Sequence, residues 1–397
     1  MLQPKATIFG AVLAAVLFTA KVSSQVYVPA YGAVVEQCSA ANILQNLTEF
    51  QALGVKYRGT TAQANALTWL KNKYLSYGYT AAQLVEDTYS YSGSSCKNLI
   101  VTKTGTLYPN IFVIVDGHYD TVVGPGTNDN GSGTAVILEM ARLLQSIPTE
   151  YSVRFINFSG EEDGLMGSQH YVSSVVNGTT PKMNIRLVFN LDEVGGVAGE
   201  TNDSIMCERD LSSPTSNNAQ SSTMTTQLMN CVELYSPLNA ILSYAYASDY
   251  MPFQSNNEII TGFYEANESP YPHSVNDVLS NMDPEYVHNV AKAAIGATMH
   301  FAVACTTCSL GNEEFSARSF DIFPNPAQTS VTIVSPAMAG QNYSYELINM
   351  LGSVVRKGVF TEAVETENID ICGLTTGIYS LRLRSDGNIF TKKLIIQ

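Results

Sequence analysis

The sequence predicts an α/β domain with a mostly parallel central sheet flanked by helices, followed by a small all-β sandwich. Three observations predict it. An apolar, β-branched run without alternation, Ile111 to Val115, reads as a strand buried on both faces, and Tyr151 to Phe158 reads as another buried strand. Stretches with apolar residues at helical spacing alternate with those runs, the pattern of a sheet built through helical crossovers. Beyond about residue 318 the helical period disappears, and short β-prone segments separated by turns replace it.

Composition sets the outer bounds. At 397 residues, 45% apolar and 14% charged, the chain is long enough for one large core and a second small one. A formal net charge of −14 argues against nucleic acid or an anionic membrane as a partner. The first residues read as a secretory signal over 1–24. Lys5 gives the positive start, Ile8 to Ala20 the apolar stretch, and Val22-Ser23-Ser24 the small residues before a mature start near Gln25. No later segment is apolar enough to span a membrane, and a monomer is expected. Seven cysteines in an exported chain suggest one to three disulfides with at least one thiol left over. Cys305 and Cys308 are near each other in sequence, as are Cys207 and Cys231.

The elements follow in order. Ile43, Leu44, Leu47 and Phe50 share one helical face, and Thr61 to Tyr77 predicts a second helix through Ala66, Leu67, Leu70 and Tyr74, stopped at Gly78. Lys97 to Thr102 and Ile111 to Asp116 are strands. Gly131 to Ser146 is a helix with an apolar stripe from Val136 to Leu144, ended by Pro148. Tyr151 to Phe158 is a strand, a short helix runs through Gln169 and Val172, and Ile185 to Asn190 is the next strand. Thr223 to Leu234 is a helix, Ala240 to Tyr246 and Ile259 to Tyr264 are strands, and Pro284 opens a last helix over Glu285 to Val303. The sandwich strands are Val331 to Val334, Tyr343 to Asn349, Ser353 to Phe360, Ile378 to Arg384 and Phe390 to Ile396.

Most of the buried strands end in charge. The run into Asp116-Gly117-His118-Tyr119-Asp120 is followed by Asn128-Asp129-Asn130-Gly131-Ser132-Gly133. The next strand stops at Ser159-Gly160-Glu161-Glu162, and the one after at Asp192-Glu193. His273 stands in a Pro-rich loop. Taken singly, His118 reads as a core histidine, Asp129 as a helix cap, Glu161-Glu162 as a surface turn and His273 as a loop residue. Together, at the carboxyl ends of strands, they read as a metal site. Zinc takes imidazole nitrogen and carboxylate oxygen, and a two-metal site needs a bridging carboxylate with further ligands on each side. The set holds one Asp for the bridge, two His, one Glu and one more Asp, with a Glu left over as general base.

These motifs resemble the co-catalytic dizinc aminopeptidases of the bacterial leucyl aminopeptidase type. The likeness runs through Gly117-His118-Tyr119-Asp120, Asn128 to Gly133, Ser159-Gly160-Glu161-Glu162-Asp163-Gly164, Asn190-Leu191-Asp192 and His273-Ser274-Val275-Asn276-Asp277. It spans about residues 40 to 305 and implies a zinc exopeptidase-like domain over 25–316. It further implies two Zn2+, one on His118, Asp129 and Asp192 and the other on Asp129, Glu162 and His273. Glu161 is then the general base, and Asp120 orients the His118 ring. Peptide or protein N-termini are the implied substrate. Ser248-Asp249-Tyr250-Met251-Pro252-Phe253 departs from the family pattern, which carries His where Tyr250 stands. Tyr246, Met251 and Phe253 are expected to line a pocket for an apolar residue.

Residues 317–397 resemble the sorting domain of the type IX secretion system, through Phe323-Pro324-Asn325-Pro326-Ala327, Asn349-Met350-Leu351-Gly352, Gly377-Ile378-Tyr379 and Lys392-Lys393-Leu394. That likeness implies the secretion machinery as a partner and a secreted or cell-surface enzyme. Other readings stay open at this stage: a carboxypeptidase, dipeptidase or glutaminyl cyclase on the same scaffold, and a non-catalytic binding domain.

Overall fold

The computed structural model describes residues 25–305, 320–334, 340, 342–349, 353–385 and 388–397. The expected signal segment over 1–24, Cys308, Met350 to Gly352 and the expected 316/317 boundary lie outside the described residues. The chain separates into two compact units, Met1–Ser309 and Leu310–Gln397.

The first unit opens with three helices, α1 (Pro29–Val35), α2 (Ala40–Ala52) and α3 (Thr61–Ser76). Then come β1 (Leu84–Tyr91), β2 (Ser94–Lys103), β3 (Tyr108–His118), α4 (Gly131–Leu144), β4 (Tyr151–Phe158), α5 (Met166–Tyr171) and β5 (Asn184–Leu191). The unit closes with β6 (Ser204–Arg209), α6 (Asn218–Tyr235), β7 (Asn239–Tyr244), α7 (Tyr250–Ser255), β8 (Ile260–Glu265) and α8 (Pro284–Phe301). Asp283 caps α8 by accepting from the Glu285 and Tyr286 amides, with Pro284 at the first helical position as expected.

The eight strands lie in the order β1-β2-β4-β3-β5-β8-β6-β7. The middle four, β4-β3-β5-β8, are parallel. The pairings β1/β2, β2/β4 and β6/β8 are antiparallel and the edge pair β6/β7 is parallel, so the sheet is mixed around a parallel centre. Both faces are covered. Val113, Val115, Phe155, Leu187 and Phe189 pack with α2, α4 and α8 into the larger core, while Ile114, Ile156, Phe158 and Val188 point the other way into a second. That two-sided burial is why these strands show no alternation. Helix α4 is buried almost all round, because it lies between the sheet, α2 and α8.

The second unit holds β9 (Asp321–Phe323), β10 (Ser330–Val334), β11 (Tyr343–Asn349), β12 (Val354–Phe360), β13 (Thr366–Asp370), β14 (Gly377–Ser385) and β15 (Asn388–Ile396). They form two antiparallel sheets, β13-β10-β9 and β12-β11-β14-β15. Val331, Ile333 and Ile369 of one sheet share a core with Leu347, Leu381 and Leu394 of the other, the expected sandwich. Cys38, Cys96, Cys207, Cys231 and Cys372 are free thiols, so Cys207 and Cys231 are not bonded to each other. Cys305 is disulfide-bonded.

Three elements converge on one atom, the Leu191 carbonyl oxygen at the end of β5. A Cβ on Gly133 would stand 2.3 Å from it, and one on Gly117 would stand 2.6 Å away. Glycine at both positions lets β3, α4 and β5 close together. Gly133→Ala is expected to destabilise the first unit by about 1–3 kcal/mol through overpacking. The single tryptophan, Trp69, lies on α3 and reports that unit, so its fluorescence in urea reads the effect. An unchanged midpoint would mean that the contact opens without cost.

Candidate metal centre

The four central strands deliver the site. His118 is the last residue of β3, Asp192 follows β5, and Glu161 and Glu162 follow the end of β4. Asp129 precedes α4, whose N-cap Asn130 accepts from the Gly133 amide at 2.9 Å. His273 comes from the loop after β8. All of them meet at the carboxyl ends of parallel strands, where open α/β sheets form their crevice.

The Asp129 carboxylate stands between two imidazoles. Its Oδ1 is 3.2 Å from His118 Nε2, and its Oδ2 is 3.2 Å from His273 Nε2. Each side has a third member: Asp192 Oδ1 lies 3.2 Å from His118 Nε2, and Glu162 Oε2 lies 2.9 Å from His273 Nε2. Two groups result, His118 with Asp129 and Asp192, and Asp129 with Glu162 and His273, each with its ligand atoms within 4.8 Å. The first group is buried, whereas the His273 side chain is 59% exposed, so the site opens on that side.

Backbone and side-chain bonds hold each ligand. His118 Nδ1 lies 3.1 Å from the Asp120 carbonyl oxygen, which can only accept. An Nδ1–H donated there leaves Nε2 facing the Asp129 and Asp192 carboxylates. The Asp120 carboxylate is farther from Nδ1, at 3.8 Å. It accepts from the Glu161 and Glu162 amides at 3.2 and 3.4 Å, so Asp120 also holds the turn carrying both glutamates. Asp277 accepts from the Asn128 amide at 2.7 Å and the Asp129 amide at 3.0 Å, which ties down the turn of the central carboxylate. Ser248 donates to Asp192 Oδ2 at 2.6 Å, and Asn130 donates to the Leu191 carbonyl at 2.8 Å.

The expected pocket residues separate. Phe253 is wholly buried in the second core, against Phe158 and Tyr171, and offers no surface to a substrate. Met251 packs against the same cluster. Tyr246 is exposed. Tyr250 donates to Glu208 at 2.8 Å inside the fold. Sequence reasoning named Asp277 and Asn128 within their motifs but gave neither a role in the site; Asn128 bonds both Glu265 oxygens and accepts from the Gly195 amide. Its signal was its place beside Asp129, in a turn too polar for a plain helix start.

The charges in this cluster do not balance. Asp120, Asp129, Glu161, Glu162 and Asp192 surround two imidazoles. Burial pushes Glu161 up to about 7 and Glu162 up to about 8, with neighbouring carboxylates adding to it. His273 is raised to about 9, chiefly by its hydrogen bond to Asp129. Burial works to raise Asp129 too, but the two imidazoles hold it well below the usual carboxylate range. Imidazole nitrogens and carboxylate oxygens in negative excess are a donor set suited to divalent zinc.

The sequence model described as "Peptidase family M28" matches residues 98–298, and that of the "Secretion system C-terminal sorting domain" matches 321–397. The chain is 44% identical over 109 residues to aminopeptidase YwaD of Bacillus subtilis, covering 27% of this chain and 23% of that protein. It is 27% identical over 193 residues to a probable zinc metalloprotease of Pyrenophora teres f. teres, covering 42% and 39%. The chain thus spans between about a quarter and two-fifths of the length of these curated relatives. Among solved structures, the Legionella pneumophila LapA aminopeptidase has the same fold, with TM-score 0.61, 21% identity and coverage of 76% of this chain and 80% of that one.

The raised groups set the sign of a pH effect. Glu161, Glu162 and His273 bind protons more tightly folded than unfolded, so the stability they contribute is full at acid pH and is lost as pH rises through about 7 to 9. Asp129 acts in the opposite sense, and only at acid pH. The melting temperature of metal-free protein is expected to fall from pH 5 to pH 8, and Glu162→Gln should flatten the fall. Calorimetry showing a rise in native protein, or the same slope in the variant, would contradict this electrostatic account.

Proposed function

The chain belongs to peptidase family M28, and from that premise we propose that it is a secreted aminopeptidase with two zinc ions and Glu161 as general base. The observation that carries this reading is the Asp129 carboxylate, which turns one oxygen to His118 and the other to His273. His118, Asp129 and Asp192 would hold one ion, and Asp129, Glu162 and His273 the other. Bound there, the ions would supply Lewis acidity to a peptide carbonyl and a water acidic enough to lose its proton near neutral pH.

The rest of the chemistry falls to the chain. Glu161 belongs to neither ligand group, yet it adjoins Glu162 and is held by the same Asp120 carboxylate. Its carboxylate takes the proton of the attacking water and returns it to the leaving amine. Asp120 keeps the His118 ring and the glutamate turn in register, and Ser248 fixes the second oxygen of Asp192. An acidic mouth favours the free α-amine of a peptide N-terminus over a C-terminal carboxylate. Among the described residues, two cations near these turns are already engaged: Arg58 pairs with Asp163, and Lys56 donates to three carbonyls. Neither is offered to a substrate carboxylate, which disfavours the carboxypeptidase reading. An apolar P1 residue is proposed, with Tyr246 rather than Phe253 as its aromatic surface. The match of residues 321–397 supports export through the type IX machinery to the cell surface or medium.

Two measurements test this. Full-length zinc-loaded protein should release p-nitroaniline from free-amine Leu and Met substrates, with none from the N-acetylated forms and none after chelation. Silence across the panel would overturn the aminopeptidase reading. Glu161→Gln should keep its zinc and lose about 10²–10⁴-fold in kcat, the usual contribution of a general base. A fully active variant would remove Glu161 from the mechanism.

A further inference from the structure

A buried cation stands beside this site and has no part in the chemistry above. Lys56, in the segment between α2 and α3, is wholly buried. Its ammonium donates to the carbonyls of Pro125 at 2.6 Å, Gly54 at 2.8 Å and Phe50 at 3.3 Å, and it lies 3.8 Å from the centroid of the Phe50 ring. Three protons with three acceptors leave nothing to give a substrate, so Lys56 is neither a base nor a nucleophile. Its main chain is also tied: the Lys56 amide donates to Thr121 Oγ1 at 2.9 Å, and its carbonyl accepts from the Thr121 amide at 3.4 Å.

The Pro125 and Thr121 contacts fall on the loop between His118 and Asp129. Thr121 follows Asp120. Pro125 precedes Gly126, whose carbonyl accepts from the Gly131 amide at 3.0 Å at the start of α4. Two residues beyond Lys56, Arg58 reaches the other ligand turn, where it pairs with Asp163 next to Glu162 and stacks on Tyr57 and Tyr91. Burial pushes the Lys56 ammonium down to about 7, and the Asp277 and Asp120 carboxylates oppose that shift.

We propose that residues 54–60 form a two-point brace in which Lys56 positions the turn of the bridging Asp129 and Arg58 positions the turn of Glu161 and Glu162. Lys56 and Arg58 are positioning residues, acting on zinc through the loops they hold. The proposal rests on the zinc-site reading given above.

The test uses full-length protein stripped of metal. Zinc is titrated against a chromophoric chelator, and backbone amide exchange is followed before zinc is added. Lys56→Met is expected to weaken both zinc-binding steps by about 10–100-fold, the usual cost of removing support behind metal ligands. It should also speed exchange at Thr121 and Asn128 to Gly131 in the metal-free protein. Arg58→Gln is expected to weaken one step only and to speed exchange at Glu161 and Glu162, leaving Thr121 as in the native protein. Native affinity in both steps for Lys56→Met, or an identical exchange pattern for the two variants, overturns the brace. Should Lys56→Met not fold, Thr121→Val, which deletes one tie, decides: weaker zinc binding supports the brace and native affinity overturns it. Native protein that binds no zinc would overturn the metal reading instead, while exchange in the metal-free protein would still test the brace.

Discussion

The structure turns on one carboxylate between two imidazoles. Asp129 is buried, and a buried carboxylate is costly unless each oxygen has a partner. Here each oxygen faces a different histidine, one at the end of β3 and the other in the loop after β8. The backbone that carries Asp129 is fixed in turn, because Asp277 takes both the Asn128 and Asp129 amides. Asp277 lies four residues after His273, so the loop that supplies the second imidazole also clamps the carboxylate it meets. The two halves of the centre are therefore joined twice.

That joining depends on how closely the central elements approach. The Leu191 carbonyl, one residue before Asp192, accepts from the Asn130 side chain at 2.8 Å. The same oxygen lies where any side chain at Gly117 or Gly133 would have to go. A single carbonyl thus sets the spacing of the strand that ends in His118, the helix start behind Asp129 and the strand that leads to Asp192. The elements that carry the site are packed by backbone against backbone, which leaves its side chains little freedom to drift.

Much of this was legible in the sequence, and the reason is local. Strands buried on both faces announce themselves as unbroken apolar runs, and charge at their ends is visible without knowing the fold. So β3, β4, β5, α4 and α8 were read nearly to their ends, and the charged strand-end residues that the structure brings together were picked out as one set. Strands β1, β6, β9 and β13 were missed: β1 is rich in Glu, Asp, Thr and Ser and only partly buried, and the other three are short. Phe253 was read as a pocket residue because an aromatic in a motif looks the same whether it faces a cavity or a core. Only the packing of α7 onto Phe158 and Tyr171 distinguishes the two. The roles of Asp277, Asn128 and Lys56 were illegible for a common reason. Each has a partner far away in sequence, 69 residues for Lys56 with Pro125, 137 for Asn128 with Glu265 and 149 for Asp277 with Asn128, and such bonds leave no periodic trace.

The electrostatics explain why so much support is needed. Carboxyls that burial and mutual repulsion push upward would separate if their backbone allowed it. Asp120, Asp277 and the Lys56 segment prevent that by holding the turns through amides and carbonyls rather than through the carboxylates themselves. The acidic oxygens stay free for cations while their main chain is fixed, which is the arrangement that preorganised metal sites require. The repulsion that remains in the metal-free protein is then a driving force for cation binding, since bringing in positive charge relieves it without moving the scaffold. It also separates the two groups by access. The His118 side is buried beneath the sheet ends, while the His273 side faces solvent, so the centre is reached from the side of His273 and Glu162.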